Sequence, residues 1–271
     1  MKIEWDIDPV AFWVGDFPIM YYSLLLIAGT VLSVWLLKRV YRENGIPWMH
    51  LQMLVMLSIT GLFLGARVGH CLFYEPTYYG DHPLEILLPI RKLADGQIVF
   101  SGYPGLASHG GLVGWMIAMV IYTRITGERI LQTLDTIALV LPLAAGFIRL
   151  GNLANSEMVG IQTDVSWAFV FCQVDLLPRQ PAQIYEAMAY FFVFGVNWLF
   201  YKKIGLKHRN GLLLGNTLVW VFTARFFIEF LKERQVSFER QLPLDMGQLL
   251  SIPFILFGLF LLVRASKAKS Y

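Results

Sequence analysis

Seven stretches of this chain, near residues 20–38, 50–74, 108–124, 131–151, 183–201, 211–231 and 247–264, are apolar over about the 20 residues a helix needs to cross a bilayer. Hydrocarbon offers no water to unpaired backbone groups, so stretches of that length must be helices packed into a bundle. Composition agrees: 271 residues that are 56 % hydrophobic and 15 % charged, with a mean hydropathy of +0.57, do not describe a soluble domain. The expected fold is therefore an all-α integral membrane protein of seven transmembrane helices, and a compact soluble enzyme is excluded. Asp6, Asp8 and Asp16 precede the first apolar run with no basic cluster. That is not the pattern of a cleaved signal peptide, so the first span is expected to be retained.

Lysine and arginine between the spans set the orientation. One side carries 12 of them: Lys38, Arg39, Arg42, Arg124, Arg129, Lys202, Lys203, Lys207, Arg209, Arg264, Lys267 and Lys269. The other carries 7: Lys2, Arg91, Lys92, Arg179, Lys232, Arg234 and Arg240. The richer side is expected to be cytoplasmic, which puts the amino terminus outside and the carboxyl terminus inside. Two long segments, 75–107 and 152–182, then lie outside. Pro83 to Ile90 is amphipathic and too short to span, the pattern of an arm lying in the interface. Trp167, Phe169 and Phe171 alternate with smaller residues as in a short strand, which points to a small extracytoplasmic head. With no internal repeat or low-complexity tract, residues 1–271 read as a single membrane domain with these two elaborations.

A net charge of +3, scattered along the chain, argues against a nucleic-acid partner and suits loops facing anionic lipid. Cys71 and Cys172 are too few for a disulfide framework, and the five histidines are dispersed without metal-ligand spacing. No metal and no other cofactor is expected.

Chemistry is concentrated around Arg149, which ends a long apolar run and opens Arg149-Leu150-Gly151-Asn152-Leu153-Ala154-Asn155-Ser156-Glu157. An arginine at membrane depth costs roughly 2.5–3.5 kcal/mol on insertion scales, so it must pair, snorkel or bind an anion. Asn152 at i+3 and Ser156 at i+7 share its face wherever the helix continues. Arg67, with His70 and Tyr74 on its face, and Arg225, four residues before Glu229, are the other arginines in or at the ends of spans. Each has a structural reading, a carbonyl or acid partner in the bundle for Arg67 and pairing with Glu229 for Arg225. Three such cations together point to a phosphate, which guanidinium holds in bidentate geometry. His109 opens a span in Ser108-His109-Gly110-Gly111, where Ser108 is expected to cap the helix and the glycines allow close approach. Histidine is the side chain whose ordinary pKa suits proton transfer near neutrality; the plainer reading is an interfacial histidine satisfying backbone groups. Tyr22 reads first as an interfacial anchor and second as a ligand contact. Asp135, the Pro178–Glu186 turn with Gln183 and Glu186, and Met246–Pro253 read as structural.

In their order and spacing these residues resemble the prolipoprotein diacylglyceryl transferase family over nearly the whole chain. The resemblance is carried by Tyr21-Tyr22, Gly65-Ala66-Arg67-Val68-Gly69, Ser108-His109-Gly110-Gly111, the Arg149–Gly160 segment, Pro178-Arg179 through Tyr185, Arg225 with Glu229, and Met246-Gly247-Gln248 through Pro253. It implies an enzyme of the bacterial cytoplasmic membrane that moves diacylglycerol from phosphatidylglycerol to the thiol of a prolipoprotein's lipobox cysteine and releases glycerol phosphate; the arginines near the outer ends of their spans place its site toward the outer leaflet as an expectation. By the same resemblance, Arg149 and Arg225 match positions that hold the phosphate or stabilise the leaving group. Asn152, Glu157 and Glu229 shape that site, Tyr22 lies near the lipid, and His109 matches a histidine for which a base role is attractive. Ser156, where glycine is frequent, Ala182, Gln180, Lys232 and the Gly102–Ala107 approach depart from the family pattern. A transporter of anionic lipid is the rival from another class, but it predicts repeats with paired broken helices. A receptor for precursors would need no histidine beside phosphate-binding arginines, and a lipid phosphatase would show paired histidines or metal-binding acids.

Overall fold

The computed structural model describes residues 2–93, 97–206, 210–233 and 244–267. Of the basic residues used for orientation, Lys207, Arg209, Arg234, Arg240 and Lys269 lie outside these. Long helices dominate: α1 Tyr21–Glu43, α2 Trp48–Phe73, α5 Ser108–Thr126, α6 Ile130–Ala154, α7 Ala182–Ile204, α8 Leu212–Glu229 and α9 Met246–Lys267. Each expected span falls on one of them. Among the described residues five, α1, α2, α6, α8 and α9, are long and apolar enough to cross a membrane. Between α2 and α5 come α3 Pro76–Asp81, α4 Leu84–Leu87 and a hairpin of β4 Ile90–Lys92 with β5 Ile98–Phe100. The chain divides into two compact units, residues 1–40 with 134–271, and residues 41–133.

In the first unit, three short strands form a sheet in the order β1 (Ile3–Trp5), β6 (Phe169–Phe171), β7 (Pro178–Arg179). β6 is the strand expected from the Trp167–Phe171 alternation. The parallel partner β1 was not expected, because three residues beside acidic neighbours give no periodicity to read. Trp5, Leu153, Phe169 and Phe171 form its apolar core, and the Trp5 indole donates to the carbonyl of Leu153 at 3.0 Å. A second hairpin, β2 Val10–Val14 with β3 Phe17–Met20, leads directly into α1. Asn197 and Asp135 show how polar side chains inside the bundle find partners, as an apolar surround requires. Asn197 of α7 donates to Ala138 O of α6 at 2.9 Å and accepts from Asn216 of α8 at 2.7 Å. The Asp135 carboxylate takes the backbone N–H groups of Gly211 and Leu214, capping the start of α8.

In the second unit α2 and α5 cross at backbone distance. Gly61, Gly65 and Gly69 of α2 face Gly110, Gly114 and Ala118 of α5, and a Cβ added at Gly114 would stand 2.7 Å from the Cα of Gly65. Small residues on both faces let the helix surfaces meet without side chains between them. α5 begins without the expected Ser108 cap. Ala107 is the N-cap residue, no side chain caps the helix, and the Ala107 N–H donates instead to Ala66 O of α2 at 2.9 Å. Ser108 is thus inside the first turn, one residue later than its capping role needs.

Gly65→Val is expected to lower stability by about 1–3 kcal/mol, the usual cost of forcing volume into a filled space. Gly195→Ala, where an added Cβ meets nothing within 4 Å, is expected to raise it by about 0.5–1 kcal/mol. Thermal unfolding of the two purified variants in detergent reads both signs.

Candidate functional site

The last turn of α6 carries the Arg149 cluster, and the helix ends sooner than the cluster does. α6 stops at Ala154. Ser156 then turns left-handed at φ 53°, its N–H donates to Leu153 O at 3.0 Å, and the N–H of Glu157 donates to Asn152 O at 2.9 Å. Those two bonds are the Schellman closure, with serine at the position glycine usually takes. Ser156 is therefore off the face it would share with Arg149 in a longer helix, and its buried hydroxyl has no hydrogen-bond partner among the described residues. The turn brings Glu157 back over the helix end. Asn152 donates to one of its carboxylate oxygens at 3.0 Å and Asn155 to the other at 3.1 Å, while Gln183 at the start of α7 donates to its backbone carbonyl at 2.5 Å.

Arg149 Nη1 donates to Asn152 Oδ1 at 3.3 Å. Its Nε stands 3.0 Å from Glu186 Oε2 on α7, a carboxylate with no solvent exposure. That contact is within ion-pair distance but does not meet the angle of a hydrogen bond, which leaves Oε2 without a directed donor. The other oxygen of Glu186 accepts from Lys232 Nζ at 2.8 Å, and Lys232 reaches Glu229 Oε2 at 3.3 Å. Charges alternate along this chain: Arg149, Glu186, Lys232, Glu229. Glu229 lies against Gly247, where an added Cβ would come within 2.5 Å of its carboxyl carbon. No ion pair or hydrogen bond joins Arg225 to Glu229 among the described residues; Lys232 takes the carboxylate instead. Arg225, half-buried on α8, and Arg149 both lie within interaction range of Tyr190, one turn after Glu186. The Tyr22 ring packs on Gly151, where an added Cβ would stand 2.8 Å from Tyr22 Cδ2.

Tyr22, Arg149, Asn152, Glu157, Arg225 and Glu229 thus all belong to the first unit, whereas Arg67 and His109 belong to the second. Arg67, 2 % exposed, donates to the carbonyls of Glu85 at 2.6 Å, Ile86 at 3.2 Å and Pro104 at 2.5 Å. Its guanidinium also lies 4.8 Å from the centre of the Tyr79 ring. It fastens the segments at Glu85-Ile86 and at Pro104 to α2. His109 is exposed in the first turn of α5 and borders a groove of about 640 Å³ whose other walls, apart from Tyr74, are apolar or glycine, among them Gly65, Gly69, Leu72, Phe73 and Val113.

Sequence reasoning missed Glu186 as the partner of Arg149 and Lys232 as the second partner of Glu186. Glu186 reads as part of the turn entering α7, and its partners are 37 and 46 residues away. The available signal was an acid inside an apolar stretch, which by itself demands a counter-charge.

Beside this site the sheet is clamped by Arg179, which is 7 % exposed. It donates from Nε and Nη2 to the Asp175 carboxylate, and from Nη1 to Gly160 O at 3.1 Å and Glu233 Oε2 at 3.0 Å. The hydrogen bonds from Arg179 hold the Asp175 carboxyl below the usual carboxylate range.

Apolar helices of membrane length around a chain of paired ions define a multi-span membrane protein with an ionic site beside its small sheet. The model of the prolipoprotein diacylglyceryl transferase family matches residues 9–264, and the chain belongs to that family. It is 44 % identical over 270 residues to a phosphatidylglycerol–prolipoprotein diacylglyceryl transferase of Bacteroides fragilis, covering 100 % of this chain and 98 % of that protein. Proteins of the same name in Chloroherpeton thalassium and Tolumonas auensis are 44 % and 38 % identical, each over 98 % of this chain, with 95 % and 98 % of the relatives covered.

Because the Asp175 carboxyl titrates lower in the folded protein than in the unfolded chain, its contribution to stability is full above the ordinary carboxylate value of about 4. It shrinks as pH falls below that and is gone once pH passes below the folded value. Thermal midpoints measured from pH 7 to pH 2.5 are expected to show a smaller acid-side decline in Asp175→Asn than in the wild type.

Proposed function

We propose that this protein transfers the diacylglyceryl group of phosphatidylglycerol to the thiol of the lipobox cysteine in prolipoprotein signal peptides, releasing glycerol phosphate. The observation that carries this reading is Arg149, a largely buried guanidinium held from one edge by Glu186 and set beside Asn152, in a chain that belongs to the family. In the reaction the thiol loses its proton, sulfur bonds to the glyceryl carbon, and the bond from that carbon to the phosphate oxygen breaks. Negative charge grows on the departing phosphate, and preorganised guanidinium N–H groups stabilise it where it develops. Arg149 and Arg225 supply those groups; Asn152, braced by Glu157, sits beside Arg149, and Glu229 shapes the site through Lys232. Tyr22 lines the lipid approach beside Gly151. His109 takes the thiol proton. Arg67 contributes to substrate binding through the segments it fastens. Neither Cys71 nor Cys172 has a part, because the attacking sulfur belongs to the substrate.

The same reading sets the protein in the bacterial cytoplasmic membrane with seven spans, amino terminus outside and carboxyl terminus inside. α5 and α7 complete the seven as the third and fifth spans in chain order, residues 152–182 form the head, and residues 75–107 form the interfacial arm. The reaction then lies toward the outer leaflet, where lipid and precursor enter from the membrane.

Mass spectrometry of a lipobox peptide incubated with purified protein and phosphatidylglycerol tests the reading. A diacylglyceryl mass gain on the peptide cysteine is expected, lowered about 100-fold or more in Arg149→Ala, the scale of losing a charged oxyanion contact. No gain from folded wild-type protein with any of several lipids sinks the proposal. His109→Ala is expected to slow the same transfer by about 10²- to 10⁴-fold, the range of general-base assistance; unchanged rates remove His109 from the chemistry.

A further inference from the structure

We infer that Glu186 is the positioning residue of Arg149. A carboxylate with no solvent exposure inside an apolar helix bundle is stable only when its charge is answered, and Glu186 is answered twice, once by each oxygen. The two cations do not sit alike. Lys232 makes a directed 2.8 Å hydrogen bond to Oε1, whereas Arg149 presents only its Nε edge to Oε2 at 3.0 Å. A guanidinium with its Nε edge against a buried carboxylate is fixed in position, and its Nη groups face away from that carboxylate. Nη1 makes a long 3.3 Å bond to Asn152, and the guanidinium also reaches the Tyr190 hydroxyl. Bidentate recognition of a phosphate gains from a guanidinium already placed before the anion arrives.

Lys232 completes the device. By occupying the other oxygen and reaching Glu229 at 3.3 Å, it holds the carboxylate still. With Glu186 absent, Arg149 has two other acids in its neighbourhood, Glu157 beside Asn152 and Glu229 beyond Lys232, and a long side chain with which to turn toward them. The guanidinium then loses its orientation while keeping its charge.

This inference rests on Arg149 holding the lipid phosphate. Steady-state transfer by the purified full-length protein, with phosphatidylglycerol and lipobox peptide varied separately, tests the two ideas apart. Glu186→Asp keeps every charge and retracts the carboxylate by one methylene. It is expected to keep the thermal midpoint near that of the wild type, while kcat/KM for the lipid falls at least 10-fold and KM for the peptide is unchanged. Glu186→Gln with Lys232→Met removes the buried pair together. It is expected to stay folded with kcat/KM for the lipid about 100-fold down, because no carboxylate holds Nε. Wild-type lipid kinetics in Glu186→Asp, or recovery of activity in the double variant, would show that Glu186 only neutralises Lys232 and would overturn the inference. Arg149→Lys keeps the charge without the fork. If it retains wild-type lipid kinetics, the phosphate role of Arg149 itself fails, whatever Glu186 does.

Discussion

A charge among apolar helices must be answered by groups brought to it, and around Arg149 the answering charges come from different parts of the chain. Arg149 is on α6, Glu186 on α7, Lys232 just past α8 and Glu229 on α8 itself. None of the four is fully satisfied by its own helix, so the ion chain forms only when these helices have packed in one register. Breaking such a chain by removing one member leaves a buried ion alone, which is much more destabilising than removing a neutral pair. The apolar surfaces of these helices would tolerate small slips against one another; the ions do not.

The sheet beside the site shares parts with the ion chain. Lys232 uses its side chain for Glu186, while its backbone forms a bridge with Gly160, and the Ile161 N–H donates to Leu231 O at 2.9 Å. Gly160 is hemmed in by the Gln180 and Leu231 carbonyls and has no room for a side chain. Arg179 then binds the Gly160 carbonyl, Asp175 and Glu233 at once. The segment after α6 and the segment after α8 are therefore joined by main-chain pairing on one side and by ions on the other. Displacing the strand moves Lys232, and moving Lys232 disturbs the carboxylate behind Arg149.

Much of this was legible in the sequence wherever one residue type settles the matter locally. Span-length apolar runs located the seven long helices among the described residues, and alternation at Phe169 and Phe171 located the central strand. Arg149 announced itself by the cost of its charge. What could not be read was pairing across helices. Spacing along α8 offered Glu229 to Arg225, but the structure gives it to Lys232, because side-chain direction around the bundle decides between partners at similar range. Ser156 shows the same limit at a helix end. Periodicity carries it along the Arg149 face, yet a left-handed turn removes it, and a serine does not advertise that turn as glycine would. Ser108 failed as a cap by one residue, the ordinary uncertainty of a helix boundary.

The crossing of α2 and α5 has a consequence for whatever lies in the groove beside His109. Side chains in most apolar clefts change rotamer to suit a guest, so the cleft's shape is partly the guest's doing. Here Gly65, Gly69, Gly110 and Gly114 line part of the wall, and that part is bare main chain. Bare backbone has no torsions to adjust, and the two helices cannot approach further because they already touch. The depth of the groove is thus a property of helix geometry, and adaptation to guests of different shape is left to the rim residues Leu72, Phe73 and Val113.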